Sequence, residues 1–232
     1  MVRRTARRGI HWWRGLDAVE MKFRQHFQIG QAIYEKLNTE QEHKINKIAY
    51  LFGNVAPDFN CVYPAHRVTT TKRAYKRHLR RIERTRSKIV RSFTLGMITH
   101  YTCDYFCYAH NNESLGARHK RYETGLFRHF TSEEKDFDIQ KEVFDIWKKI
   151  DASSEKYETL FEKVEALNKE YRAKHNVNRD TGWEYRHDQM VVDTEYSMFA
   201  AFKIVSKILC GDSIVIKNLN FSKGVCIGEK LV

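Results

Sequence analysis

Only two prolines, Pro57 and Pro64, occur in the 232 residues, and they stand close together. Proline removes a backbone donor and clashes with the preceding helical turn, so the long stretches without it are free to be helical from end to end. Apolar residues on both sides of the pair recur at helical spacing. Ile29, Ala32, Ile33 and Leu37 follow Phe27, and Ile45, Ile48, Ala49 and Phe52 repeat the rhythm until Gly53, which is expected to stop the helix. A loop is expected over 53–66. Tyr75, Leu79, Ile82, Ile89, Phe93, Met97, His100, Asp104 and Cys107 then trace one long stripe with a single gap at Arg86. Later helices are expected over 137–150, 157–171 and 188–209, with a connection at 177–183. The pattern predicts an all-α, single-domain multi-helix bundle over residues 22–210. A basic extension (1–21) precedes it, and a tail without clear period (211–232) follows.

Composition narrows the partners. Lys and Arg number 41 against 29 Asp and Glu, a net charge of +12 that favours phosphate substrates, nucleic acid or acidic lipid headgroups. A hydrophobic content of 42% excludes a wholly disordered chain. The five cysteines are odd in number and lack framework spacing, so no disulfide scaffold is expected, and Cys103 and Cys107 are expected to be packing thiols. No apolar run is long enough to span a membrane. The first ten residues carry charge without an apolar core behind it, so no secretory signal is expected and the cytoplasm is the expected location, secretion remaining open if the N-terminus is processed. Met21 is an alternative start, giving Met21-Lys-Phe-Arg-Gln-His26 as a short N-terminus. The run from Lys72 to Arg86 puts basic residues around most of a helix, which reads first as a solvated face; contact with an anionic membrane surface or a nucleic-acid backbone is the functional alternative.

The densest chemistry lies in His100-Tyr-Thr-Cys-Asp104-Tyr-Phe-Cys-Tyr-Ala-His110, followed by His119-Lys-Arg-Tyr-Glu123. Residues i and i+4 share a helix face, so His100 with Asp104, and His119 with Glu123, can each grip one ion. His100 and Asp104 also continue an apolar stripe. Burying imidazole and carboxylate is costly without a partner, and a shared metal supplies one. Imidazole with carboxylate suits zinc. Three upstream residues join as candidates: His26 at the opening of its helix, Asp58 after Pro57, and His66 after Pro64-Ala65. His78, a rival to His66, sits among arginines and is expected to be solvated. His187-Asp188 is a bare dipeptide without supporting histidines.

Taken in order, His26, Asp58, His66, His100, Asp104, His110, His119 and Glu123 resemble the ligand series of the zinc-dependent phospholipase C family, over roughly residues 22–130. The most specific part runs from Leu95 to Asn111, where H-x3-D-x5-H spacing is intact, and Phe52-Gly-Asn-Val-Ala-Pro-Asp58 is similar to the segment that carries the family's loop aspartate. P1-type nucleases share the metal layout. The resemblance implies an all-helical fold and two or three zinc ions. Asp58, His66, His100 and Asp104 would hold one, and His110, His119 and Glu123 a second. Asp104 would bridge to a third, shared with His26 and a free N-terminal tryptophan. Here the chain departs: Trp13 is internal and offers an amide nitrogen, a poor zinc ligand, so the third site is expected to be altered or absent unless Trp12 or Trp13 becomes a terminus. The missing signal and a shortened gap between His110 and His119 are further departures. The implied activity is zinc-dependent phosphodiester hydrolysis, most simply of a phospholipid to diacylglycerol and a phosphorylated headgroup, with Asp58 orienting or deprotonating the attacking water. Phe59 and Tyr63 flank the loop ligands and can line a headgroup pocket or simply pack. Two alternatives stand beside this: a P1-type zinc nuclease, towards which the net charge leans and from which Glu123 leans away, and a non-catalytic, metal-stabilised binding protein.

Overall fold

The computed structural model describes residues 13–37, 43–59, 68–112, 115, 118–130, 137–153, 159–175 and 187–210. Most of the described residues are helical, and no strand occurs among them. The helices are α1 (Trp13–Lys36), α2 (Lys47–Val55), α3 (Val68–Arg84), α4 (Lys88–Tyr105), α5 (Tyr108–Asn111), α6 (Arg118–Phe130), α7 (Phe137–Ala152), α8 (Leu160–Lys174) and α9 (His187–Cys210). A short 3-10 turn, Ala56–Asp58, follows α2.

Local chemistry explains several boundaries. Asn46 starts α2 by accepting from the Ala49 amide at 2.9 Å, and Thr159 with Glu162 forms a capping box at the start of α8. The stripe expected as one helix from Tyr75 to Cys107 is two. It breaks at residues 85–87, where the Ser87 side chain caps α4 through the Val90 amide. Gly53 does not stop α2, which runs on to Val55. Nor does His26 open a helix, because α1 extends unbroken from Trp13. At 1.5 Å per residue, the helix sets Trp13 about 20 Å along the axis from His26, so no main-chain atom of Trp13 reaches that imidazole.

α4 is the centre of the molecule. It packs against α2, α3 and α9, while α1 closes over α2 and α6, and α7 links α8 to α9. From Thr94 to Tyr105 every residue of α4 is buried, although this stretch contains three threonines, a histidine and an aspartate. Thr94, Thr99 and Thr102 satisfy their hydroxyls internally by donating to the carbonyls of Val90, Leu95 and Ile98 at 2.7–3.0 Å. Against α2 the approach is close enough to need glycine on both helices. A Cβ at Gly53 would stand 2.0 Å from the Phe93 carbonyl oxygen, and one at Gly96 2.0 Å from that of Tyr50. This tight crossing fixes where the functional end of α4 lies relative to the loop after α2.

α3 lays Tyr75, His78 and Ile82 against the core at spacings of three and four. His78 is therefore buried rather than solvated, with its ring stacked on Tyr101 at 5.7 Å. Neither ring nitrogen hydrogen-bonds a described residue. Burial, then the charges of Arg77 and Arg81, push its pKa down from 6.5 to about 4. The i+3 step from Tyr75 and the i−4 step from Ile82 already carried that information.

Candidate metal centre

Four helices deliver the polar side chains at the heart of the fold. α1 brings His26, α4 brings His100 and Asp104, α5 brings His110, and α6 brings His119 and Glu123. Cys107 links α4 to α5 with the Cys107 amide bonded to the Asp104 carbonyl at 3.2 Å, and this sharp turn swings His110 back towards Asp104.

His26, His100 and Asp104 form one buried group whose ligand atoms lie within 4.8 Å of one another, and His110, His119 and Glu123 form a second. Asp104 joins them. Its Oδ2 is 3.2 Å from His100 Nε2, while Oδ1 is 3.4 Å from His26 Nε2 and 3.5 Å from His110 Nε2. Glu123 Oε1 then meets His110 Nε2 at 3.2 Å and His119 Nε2 at 2.9 Å. The His26 and His100 rings lie 3.8 Å apart, and those of His110 and His119 meet edge-on at 4.6 Å. The two i, i+4 pairs thus share faces as their spacing predicts. His26 stands beside His100, in the group with Asp104. His119, with 30% of its side chain exposed, is the member that faces solvent, whereas His100 is fully enclosed.

Asp58 ends the turn after α2, outside both groups, and its charge acts on His100. His66 lies outside the described residues, as does Tyr63. Phe59 is 40% exposed and packs its ring against Phe52.

The titration behaviour follows from packing opposite charges out of water. Burial alone would drive the His100 pKa down, but the carboxylates of Asp104 and Asp58 and hydrogen bonds to Asp104 and Asn54 carry it above 6.5. Burial would raise Asp104; His110 and His100, with hydrogen bonds from His100 and His26, overcome it and hold this carboxyl well below the ordinary range. Burial pushes the Cys103 and Cys107 thiols well up, away from the thiolate that a metal needs. Both are buried and free, as expected of packing residues.

The donor set fits zinc: imidazoles and carboxylates, with no thiolate, converge from separate helices. Two details strengthen the fit. His100 Nδ1 stands 2.8 Å from the Asn54 carbonyl, which fixes the tautomer and leaves the Nε2 lone pair turned to the centre. His26 Nδ1 is buried without a hydrogen-bond partner among the described residues.

Two supporting residues were not recognised in the sequence. Asn54 is fully buried and ties three helices together: its side chain donates to the His26 carbonyl while its own carbonyl accepts from His100. Asp193 on α9 is also fully buried. Its Oδ2 accepts from the Tyr108 amide at 2.6 Å and the Tyr122 hydroxyl at 2.8 Å; Oδ1 accepts from Tyr171 at 2.6 Å and Gln189 at 2.8 Å. It therefore pins α5 two residues before His110 and α6 one residue before Glu123. The one sequence signal is Gln189, four positions before Asp193 and so on the same helix face.

A family model described as zinc dependent phospholipase C matches residues 25–178. No curated protein and no solved structure matches the chain.

Proposed function

We propose that this chain, which belongs to the zinc-dependent phospholipase C family, is a zinc-dependent phosphodiester hydrolase whose substrate is a phospholipid. The observation that carries the reading is the continuous run of ligand atoms from His26 through Asp104 and His110 to Glu123, built on four helices inside the core. Such a run serves no packing purpose that apolar residues would not serve better.

His26, His100 and Asp104 would hold one ion, and His110, His119 and Glu123 another, with His66 a further candidate ligand. Zinc bound there supplies Lewis acidity, activating water and drawing charge from a phosphoryl group. The chain's own residues do the rest. Asp104, kept ionised by its histidines, supplies negative charge to both groups and holds them in one register. Asn54 keeps the His100 ring in the orientation that presents Nε2. Asp58, set on the turn after α2 with its charge acting on His100, orients the attacking water and takes its proton. His119 marks the solvent-facing side by which a diester enters.

The test pairs metal content with turnover. Protein supplied with zinc should retain two or more equivalents and hydrolyse phosphatidylcholine to diacylglycerol, and His100→Ala/Asp104→Ala should lose both. Stoichiometric zinc with cleavage of single-stranded oligonucleotides and not phospholipid would transfer the chain to nuclease chemistry. Zinc without any turnover would leave a metal-stabilised binding protein.

A further inference from the structure

Six large hydrophobic side chains stand exposed among the described residues, and four of them, Ile48, Phe52, Phe59 and Ile89, gather in one place. Ile48 is 82% exposed, Ile89 62% and Phe52 56%. Ile48, Phe52, Ile89 and the partly buried Phe93 line a shallow apolar groove of about 470 Å³ between α2 and α4. Phe52 spreads the patch across the surface, its ring 5.9 Å from that of Phe93 and 6.4 Å from that of Phe59. Exposing this much contiguous apolar surface costs solubility unless something covers it.

The charge around the patch identifies what covers it. Arg81 of α3 forms one wall of the groove. α3 carries seven basic residues and one acid, with Arg73, Lys76, Arg77, Arg80, Arg81 and Arg84 all exposed. Lys47 and Lys88, also exposed, directly precede Ile48 and Ile89. Apolar side chains projecting beside a dense basic face match a surface that is anionic outside and hydrocarbon beneath. A second copy of this chain would bring the same positive charge to the contact and repel.

We propose that the α2–α4 groove and the basic face of α3 form a docking surface for an anionic phospholipid bilayer. Ile48, Phe52 and Ile89 enter the interface, while the α3 arginines lie among the headgroup phosphates. Phe59 is part of the patch and is joined by one peptide bond to Asp58. Docking therefore brings the lipid surface to the edge of the proposed centre. The inference rests on the phospholipase reading for its purpose, but its geometry is independent of turnover.

Vesicle flotation of the zinc-loaded protein tests it. Vesicles of phosphatidylcholine mixed with phosphatidylserine should carry the protein up the gradient, and pure phosphatidylcholine vesicles far less, with binding falling as salt rises. Ile48→Ser/Phe52→Ser/Ile89→Ser should weaken partition at least about tenfold, because each side chain buries apolar area in the interface. Arg77→Gln/Arg81→Gln/Arg84→Gln should weaken it about a hundredfold and flatten the salt dependence. Both variants change exposed residues, and unchanged zinc content and turnover of a monomeric short-chain phospholipid will show that the fold is intact. Absence of binding to anionic vesicles, binding unchanged in both variants, or a dimer that disappears with the apolar triple variant would each overturn the proposal. Patch-dependent vesicle binding without hydrolysis of any diester would refute the phospholipase reading and leave this surface standing; hydrolysis of dispersed substrate without vesicle binding would do the reverse.

Discussion

Gly96→Ala tests whether the α2–α4 crossing positions the candidate metal centre. A new Cβ would stand 2.0 Å from the Tyr50 carbonyl oxygen, 2.6 Å from the Asn54 amide nitrogen and 2.9 Å from the Gly53 carbonyl carbon. All three are backbone atoms, so no rotamer change relieves the clash. Restoring ordinary contact at 3.4 Å requires α2 to retreat about 1.4 Å from α4. In a close-packed interior such overpacking costs about 3 kcal/mol, offset by up to about 1 kcal/mol from the better helix propensity of alanine. The net loss of about 2 kcal/mol lowers the melting temperature by about 4–8 °C for a domain of this size. The same retreat carries the Asn54 carbonyl from 2.8 Å to about 4 Å from His100 Nδ1, beyond hydrogen-bond reach. Losing that support should cost about 10–100-fold in zinc affinity. Thermal unfolding with and without zinc reads the first effect, and competition against a chromophoric chelator reads the second. A melting temperature that stays level or rises, with unchanged zinc affinity, would mean that propensity outweighs packing and would refute the positioning role of this crossing.

Three further outcomes follow from buried polar groups. His78→Phe should flatten the acid side of the stability profile. The folded pKa, about 4 against 6.5, means that the histidine's contribution is present above pH 6.5 and is lost as pH falls through 4, a change of up to about 3 kcal/mol that chemical denaturation across this window will measure. Asp193 acts with the opposite sign: its carboxyl is raised from 3.8 to about 6, mainly by burial, so its contribution is complete below pH 3.8 and declines as pH rises through 6. Asp193→Asn should cost about 3 kcal/mol at neutral pH by setting an amide NH2 against two donors, and should also weaken zinc binding because α5 and α6 lose their anchor; retained affinity by chelator competition would disprove the link. Asp104→Asn should weaken zinc binding by more than the 10–100-fold typical of a supporting residue, since this carboxylate reaches His26, His100 and His110 at 3.2–3.5 Å; equal zinc content after dialysis would contradict its central place.

Much of the fold was legible because helical spacing and the scarcity of proline act locally. α7 and α9 fall within two residues of the expected bounds and α8 within three. The failures came where tertiary contact decided. Gly53 looked like a stop because glycine is a poor helix former, yet α2 keeps it for the close approach of Phe93. The stripe through Tyr75 and Cys107 looked continuous because helices that share a core can keep phase across a short break, and only the Ser87 cap marks the interruption. His78 looked solvated because its neighbours in sequence are cations, while its neighbours on the buried face are Tyr75 and Ile82. At the candidate centre, i, i+4 spacing was enough to pair His100 with Asp104 and His119 with Glu123. It could not show that Asn54 and Asp193 support them, since the Asn54 contact uses a main-chain carbonyl and the Asp193 contacts span 71 and 85 positions.

The placement of the centre also bears on how the chain folds. Its candidate ligands come from α1, α4, α5 and α6, spread over nearly a hundred positions, and they meet where apolar side chains would otherwise close the core. Without an ion, the buried carboxylate of Asp104 faces the histidines beside it, and burial opposes charge on His100 just as it opposes charge on Asp104. A bound cation removes that conflict and favours the folded state by RT ln(1 + [L]/Kd), about 4 kcal/mol at a thousandfold excess over Kd. That is a large fraction of the stability of an ordinary domain. Chelation should therefore do more than stop turnover: it should loosen α5 and α6 first. α5 is a single turn, tied to its surroundings through Asp193, the Asn111 side chain and the proposed ion, whereas α4 is a long helix packed against α2, α3 and α9 by contacts that need no metal. Hydrogen exchange with and without chelator will show that order, and uniform exchange across α4, α5 and α6 would mean that the core owes nothing to the ion.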